Sequence, residues 1–128
     1  MIPRFLDPLI TRAKEPDTWI LERSFSYQTL TLGKPRVITA PAGFENDLAS
    51  IPRLLTFAFK VNGKHRWSAV IHDWLYANKG EIGTLRLTRK ECDLIFLEAM
   101  KVKKVGYIKR SMMFRGVRVG GFVAWSKK

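Results

Sequence analysis

The sequence predicts an α+β fold in which a small N-terminal antiparallel sheet packs against three C-terminal helices. Its length of 128 residues is that of one ordinary domain. Apolar and polar residues alternate in the first third of the chain, as in strands, and the period changes to that of helices farther on. We therefore predict a single domain made of an extended arm (residues 1–17), a β-rich part (18–45) and a helical part (50–126).

The strand signals come first along the chain. Three prolines interrupt residues 1–17, which indicates an extended arm rather than a helix. Residues 24–32 alternate well enough to predict one or two strands. The Gly-Lys-Pro of residues 33–35 indicates a turn, and the β-branched stretch of residues 36–40 predicts a further short strand.

Helical signals follow. Asp47 or Ser50 can cap a short helix over residues 51–59. Residues 65–78 predict a longer amphipathic helix, because apolar side chains recur at helical spacing. Those side chains are Trp67, Val70, Ile71, Trp74 and Leu75.

The next helix has the most secure boundary in the sequence. Thr88 and Glu91 have the spacing of a capping box, in which each side chain bonds the backbone amide of the other residue. We expect this helix to run to about residue 103. Its predicted inward-facing residues are Ile95, Phe96, Ala99 and Met100.

The last predicted helix spans residues 107–125. Five apolar residues fall within an arc of roughly 100° of a helix there, which predicts one apolar face. They are Ile108, Met112, Val119, Phe122 and Val123. Three glycines weaken the helix, and the aromatic side chains of Tyr107, Phe114 and Trp125 are expected in the core.

The charge is concentrated in the second half of the chain. Residues 64–128 hold 15 basic and 5 acidic residues, a net charge of +10, and no acid follows residue 98. Such a field attracts nucleic acid or acidic partners, although a solvated surface is the simpler interpretation. The one cysteine cannot form an internal disulfide. We expect neither a signal peptide nor a transmembrane segment.

Five polar residues stand out because of their places in these elements. They are Asp47, Ser50, His72, Asp73 and Asp93. The first two lie between a strand and a helix, the next two within the most apolar helix, and Asp93 in the second turn of the capped helix. If the two long helices are neighbours, these groups can border one cleft.

This set of groups suits a divalent cation such as Zn, Mn or Mg, because carboxylates and imidazole are its usual ligands. Each residue also has a structural interpretation, as a turn former, a helix cap or a partner of a buried group. The candidate metal ligands are Asp47, His72, Asp73 and Asp93, Ser50 joins them as a candidate catalytic residue, and the candidate substrate-binding residues are Arg53 and Tyr76.

Three ordered segments resemble the DUF1353 family of small proteins, encoded mostly by tailed bacteriophages and prophages. They are PAGFENDLASIPR at residues 41–53, AVIHDWLY at 69–76 and RKECDLIFLEAM at 89–100, and the ending at 117–125 is also similar. The resemblance implies a phage origin, a location in the host cytoplasm or the virion, and other phage proteins as partners. It implies no biochemical activity.

Three functions stay open on the sequence alone. The first is a metal-dependent hydrolase, in which the cation activates a water molecule. The second is a virion or assembly protein without catalysis, whose polar cluster is an internal hydrogen-bond network. The third is binding of nucleic acid or a host factor through the basic C-terminal segment.

Overall fold

The computed structural model describes residues 2–15, 18–46 and 65–126, and these form eight strands and four helices. The strands are β1 (Arg4–Phe5), β2 (Thr11–Glu15), β3 (Thr18–Leu21), β4 (Phe25–Thr29), β5 (Arg36–Ala40), β6 (Glu45–Asn46), β7 (Glu81–Ile82) and β8 (Leu85–Arg86). The helices are α1 (His65–Ala77), α2 (Arg89–Val102), α3 (Tyr107–Gly120) and α4 (Phe122–Ser126). Strands precede the helices apart from the β7–β8 hairpin, so the predicted α+β class is confirmed.

The strands form two three-stranded antiparallel sheets, with orders β1-β4-β5 and β2-β3-β6. Phe25 lies opposite Ala40, and Tyr27 lies opposite Ile38. All four side chains are buried, so one face of this sheet lies against the core, as the period of two predicts. Residues 2–15 are extended as expected, and two stretches of them pair as β1 and β2 with strands farther along the chain.

The core lies between the sheets and the helix pair α1 and α2. On α1, Val70, Ile71 and Leu75 are at most 1% exposed. On α2, the four residues predicted to face inward are fully buried. Burial of each large apolar side chain of this kind contributes about 1.5–3 kcal/mol.

The start of α2 confirms the predicted capping box. The Glu91 amide donates to the Thr88 hydroxyl at 3.1 Å, and the Thr88 amide donates to Oε1 of Glu91 at 2.8 Å. These bonds satisfy two amides that have no acceptor within the helix. They also fix the rotation of α2, and with it the direction of the residues in its second turn.

The C-terminal segment is helical, as predicted, but it is divided at Gly121 into α3 and α4. Its buried side chains are Met113 and Val117, whereas the predicted apolar arc faces solvent. The expectation that Tyr107 lies in the core is wrong, because its side chain is 70% exposed. Within the described part of the chain, we find no helix with the length and apolar character needed to cross a membrane.

Candidate functional site

The carboxylate of Asp93, one of the five polar residues that stand out in the sequence, is the centre of a buried hydrogen-bonded cluster. The residue lies in the second turn of α2 and is fully buried. Both of its oxygens accept hydrogen bonds, three of them from the neighbouring helices α1 and α3 and one from α2 itself. The donors are His72 Nε2 at 2.7 Å and Tyr76 Oη at 2.6 Å to Oδ1, and Arg118 at 2.8 Å and Arg89 at 3.5 Å to Oδ2. We call these five residues the Asp93 cluster.

His72 reaches Asp93 from the middle of α1 and is itself 0% exposed. Burial lowers the pKa of this imidazole more than its hydrogen bond to Asp93 raises it, and the charge of Arg89 lowers it further. The histidine is therefore neutral at pH 7. Because an ionised carboxylate only accepts hydrogen bonds, the proton lies on Nε2, and His72 donates it to Asp93.

Tyr76 lies one helical turn beyond His72 and donates its hydroxyl to the same oxygen. The two rings are 4.3 Å apart between centroids, and the ring of Trp125 meets Tyr76 edge-on at 5.1 Å. Burial and the bond to Asp93 raise the pKa of Tyr76 well above its usual value. A Cβ atom at Gly121 would lie 2.7 Å from the Tyr76 hydroxyl, so this glycine permits the close approach of the α3–α4 junction.

Two arginines supply the positive charge of the cluster. Arg118 of α3 lies 2.8 Å from Oδ2 of Asp93, and Arg89 lies four residues before Asp93 on α2. Arg89 also donates to the carbonyl oxygens of Val117 and Arg118 in the last turn of α3, where the helix dipole favours a cation. Burial raises the pKa of Asp93, but its hydrogen bonds from His72, Tyr76 and Arg118 outweigh this and hold it below its usual value.

The arrangement joins three helices through one ionised carboxylate. Two ligands of one tetrahedral cation lie about 3.4 Å apart, given bond lengths of about 2.1 Å. His72 and Asp93 are closer than that and bond each other directly. Among the described residues, no three His, Cys, Asp or Glu side chains converge as a metal site requires. The geometry is that of an internal hydrogen-bond network.

The remaining candidates from the sequence are placed as follows. Asp73 is buried on α1, 6% exposed, and is not one of the four residues described above as partners of the Asp93 carboxylate. Asp47, Ser50 and Arg53, together with the predicted short helix over residues 51–59, lie outside the described residues. Their proposed roles as metal ligand, catalytic residue and substrate-binding residue stay predictions.

Sequence reasoning missed both arginines of the cluster. The four-residue spacing of Arg89 and Asp93 on a predicted helix is a pattern that could have indicated their pairing. No local pattern indicates Arg118, which is 25 residues from Asp93 in the chain and meets it only through the packing of α3 on α2.

A second carboxylate on α2, that of Glu98, was also missed. It accepts hydrogen bonds from the β4 side chains Tyr27 at 2.8 Å and Thr29 at 2.7 Å. The Leu30 amide at 3.2 Å and the Thr31 hydroxyl at 2.9 Å complete the set. Glu98 therefore ties α2 to the sheet, as Asp93 ties it to α1 and α3.

The solvent side of α3 and α4 is of a different kind. Its side chains point away from the core and include five exposed apolar groups and one exposed cation. They are Ile108 (74% exposed), Met112 (47%), Val119 (77%), Phe122 (55%), Val123 (51%) and Arg115. We call this set the outer face. Contiguous apolar surface of this kind is typical of interaction sites.

Comparison with known proteins identifies a family and one distant relative. Residues 19–117 match the family model described as "Protein of unknown function (DUF1353)". The chain is similar to the ribonuclease P/MRP protein subunit POP5 of Saccharomyces cerevisiae, with 24% identity over 103 residues. That match covers 80% of this chain and 59% of the yeast protein, so the chain spans little more than half of its relative. No solved structure matches the chain.

Proposed function

We propose a function for this chain from its geometry. The chain belongs to the DUF1353 family, whose description, "Protein of unknown function", names no activity. The protein is a non-catalytic assembly subunit that docks to a partner protein through the outer face of α3 and α4. The Asp93 cluster holds these helices in place and takes no part in chemistry. The observation that carries the proposal is the exposed apolar set on the outer face.

The spacing on the outer face fits the insertion of a helix into a groove. Ile108, Met112, Arg115 and Val119 follow one another at intervals of three or four residues, so their side chains share one side of α3. Apolar anchors at this spacing are how amphipathic helices fill hydrophobic grooves on partner proteins. Phe122 and Val123 extend the same exposed surface onto α4.

Charge defines the partner further. Arg115 lies among the apolar anchors, and no acid follows residue 98. A groove that receives this face therefore needs a carboxylate opposite Arg115, and an acidic rim would speed association. A second copy of the chain fits poorly, because each copy carries a net charge of +12.

A membrane surface fits less well than a protein groove. Helices that lie in lipid headgroups carry many lysines and arginines on their polar side. On α3 that side is committed to the protein, since Arg110 donates to the Val105 carbonyl and Arg118 to Asp93. Binding to anionic vesicles must therefore be measured alongside binding to a partner protein.

The relative supports a subunit role in a general way. POP5 is by its name a protein subunit, that is, part of a larger assembly. In its finer form the proposal places the partner among the proteins of a tailed bacteriophage particle, which depends on the family resemblance. Mass spectrometry of purified particles tests this form, and absence of the protein from particles and from their assembly intermediates would contradict it.

Site-specific cross-linking tests the docking surface. A photoreactive amino acid replaces Val119 or, as the matched control, Val37, an exposed valine on β5 that is 47% exposed. Irradiation in the producing cell should give a defined adduct with one protein for position 119 only. The captured protein is then purified, and its affinity is measured for wild type, Val119→Glu and Val37→Glu.

We expect Val119→Glu to weaken this affinity by at least about tenfold, because it places a carboxylate among apolar anchors. Val37→Glu should leave it within about twofold. Equal cross-linking at both positions, or pelleting with anionic vesicles that Val119→Glu abolishes, would contradict the proposal in favour of a non-specific or lipid-bound surface.

Nucleic-acid binding is a second candidate, favoured by the nine basic residues after residue 98 and by the name of the yeast relative. Lys101 and Lys104 are exposed, whereas Lys103 lies 3.8 Å above the Trp67 ring and contributes to packing. Reversal of Lys101 and Lys104 should therefore reduce oligonucleotide affinity without unfolding the protein. Affinity that is insensitive to salt would exclude this candidate.

The metal-dependent hydrolase stays a separate proposal that requires Asp47 to approach His72 and Asp93. Its weakness is that Asp93 already accepts four hydrogen bonds. Metal analysis of protein purified without chelator, with melting curves in added Zn or Mn, decides between the hydrolase and the non-catalytic assembly subunit. A stoichiometric cation that raises the melting temperature would favour the hydrolase.

A further inference from the structure

A recess of about 280 Å³ lies beside the first turn of α3. It has no role in the Asp93 cluster or in the outer face. Its walls come from the first residue of α1, the α2–α3 connection and the first turn of α3. The lining residues are His65, Lys104, Val105, Gly106 and Lys109.

The α3 end of the recess is positively polarised. The first amides of any α-helix have no acceptor within the helix, and the helix dipole places partial positive charge there. At α3, Gly106 precedes the helix without a side-chain cap, and the first turn contains no acid. This 14-residue helix therefore leaves its amino end without the carboxylate that commonly occupies such a position.

His65 gives the independent sign of a ligand. His65 is one of the lining residues and is only 3% exposed, and its Nδ1 atom has no hydrogen-bond partner in the part of the chain that the structure describes. Buried polar atoms nearly always have a partner. A neutral imidazole that carries its proton on Nδ1 needs a hydrogen-bond acceptor, and an anion bound beside His65 is one.

The charges around His65 point to the same class of ligand. Lys104 and Lys109 line the recess, and residues 99–128 include no acid. Burial and the charge of Lys109 lower the pKa of His65 to about 4. Of these two causes, the positive charge of Lys109 is the one that also stabilises an anion bound beside it.

We infer that this recess binds a phosphate group, held by the amino end of α3, the ammonium groups of Lys104 and Lys109, and the His65 imidazole. Helix amino ends and lysines are recurrent phosphate ligands in proteins. The inference goes beyond the docking function and does not depend on it, since the recess and the outer face involve different residues.

The phosphate can be free or part of a nucleotide, and Tyr107 distinguishes the two. Its ring adjoins Gly106 in the chain, is 70% exposed and has the Arg110 guanidinium 5.4 Å from its centroid. An exposed aromatic ring next in the chain to a phosphate ligand offers a surface on which a base can stack. A nucleotide would therefore use both features.

NMR titration of the wild-type protein tests the inference directly. Inorganic phosphate should shift the amide signals of Gly106, Tyr107 and Ile108 and the imidazole signals of His65, and chloride at equal ionic strength should not. Phosphate shifts that chloride reproduces, or that lie away from these residues, would overturn the inference.

Variants of equal charge provide the control. Lys104→Gln with Lys109→Gln should weaken phosphate binding by about tenfold or more, because two ligands are lost. Lys90→Gln with Lys101→Gln removes two exposed charges of α2 outside the recess and should change it by less than about twofold. Equal weakening in both double variants would mean that phosphate binding depends only on the net charge of the protein, and it would overturn the inference.

A second arm uses adenosine 5′-monophosphate in place of phosphate, with wild type and Tyr107→Ala. Tighter binding of the nucleotide that Tyr107→Ala removes would assign the recess to nucleotide phosphates. Equal binding of both ligands by both proteins would assign it to free phosphate. No binding of either ligand at millimolar concentration would overturn the inference.

Discussion

The two sides of α3 differ in how completely their groups are matched. On the inner side, Arg118 donates to Asp93, and Arg89 donates to the carbonyl oxygens at the end of the helix. On the outer side, Ile108 and Val119 are more than 70% exposed. The matched groups define the structure, and the exposed apolar groups are those that gain from a partner.

Polar residues that stand out in a sequence can therefore be structural rather than functional. His72 and Asp93 draw attention because buried charge is rare, and burial of charge needs partners. In the fold those partners are present, and they leave Asp93 without an open acceptor position. By contrast, the exposed Val119 and the buried His65, whose Nδ1 has no hydrogen-bond partner among the described residues, did not stand out in the sequence.

Asp93→Asn should have the largest effect on stability, because it leaves the inner side with uncompensated arginines. Removing one partner of a buried charge pair costs about 3–5 kcal/mol. We expect this reduction in the free energy of unfolding, measured by urea denaturation. Glu81→Gln, at an exposed position on β7, is the control. A loss below about 1 kcal/mol for Asp93→Asn would show that the cluster does not hold the helices together.

Acid should reduce stability by the next largest amount. The folded-state pKa of His65, about 4, lies below its ordinary value of 6.5, so protonation favours the unfolded state. The free energy of unfolding is therefore unaffected by the titration of His65 above pH 6.5 and decreases by up to about 3 kcal/mol as the pH falls toward 4. His72, facing Asp93, Tyr76 and Arg89, shifts in the same direction.

Denaturation curves at several pH values measure this effect. His65→Gln, which removes the titrating group that faces Lys104 and Lys109, should flatten the dependence between pH 6.5 and 4. An unchanged slope in this variant would mean that His65 is not held neutral by its surroundings.

Glu98→Gln sharpens the comparison within α2 itself. Its partners are neutral, namely the hydroxyls of Tyr27, Thr29 and Thr31 and the Leu30 amide, so no arginine is left without a counter-charge. We expect a loss of about 2 kcal/mol, smaller than for Asp93→Asn. Chemical denaturation of both variants side by side ranks their losses in free energy of unfolding. A larger loss for Glu98→Gln than for Asp93→Asn would contradict the ion pairing of Asp93 with the two arginines.

Much of the fold follows from local sequence. The capping box of Thr88 and Glu91 fixes the start of α2, and helical spacing identifies its four buried apolar residues. The β-branched stretch at residues 36–40 coincides with β5. In each case the deciding interactions lie within a few residues of one another.

The orientation of α3 could not be obtained in that way. Apolar residues occur on two sides of this helix, and the larger set predicts the wrong side for the core. Arg118 must reach Asp93, and Gly121 must pass close to Tyr76, so long-range contacts turn Met113 and Val117 inward. The same reason explains why the partners of Asp93 and Glu98 escaped prediction.

Val119→Glu tests the central claim most directly, because it changes only the outer side of α3. Exposed substitutions usually change stability by no more than about 0.5 kcal/mol. We therefore predict wild-type unfolding together with an affinity for the cross-linked partner that is at least about tenfold weaker. Wild-type affinity in this stably folded variant would contradict the account.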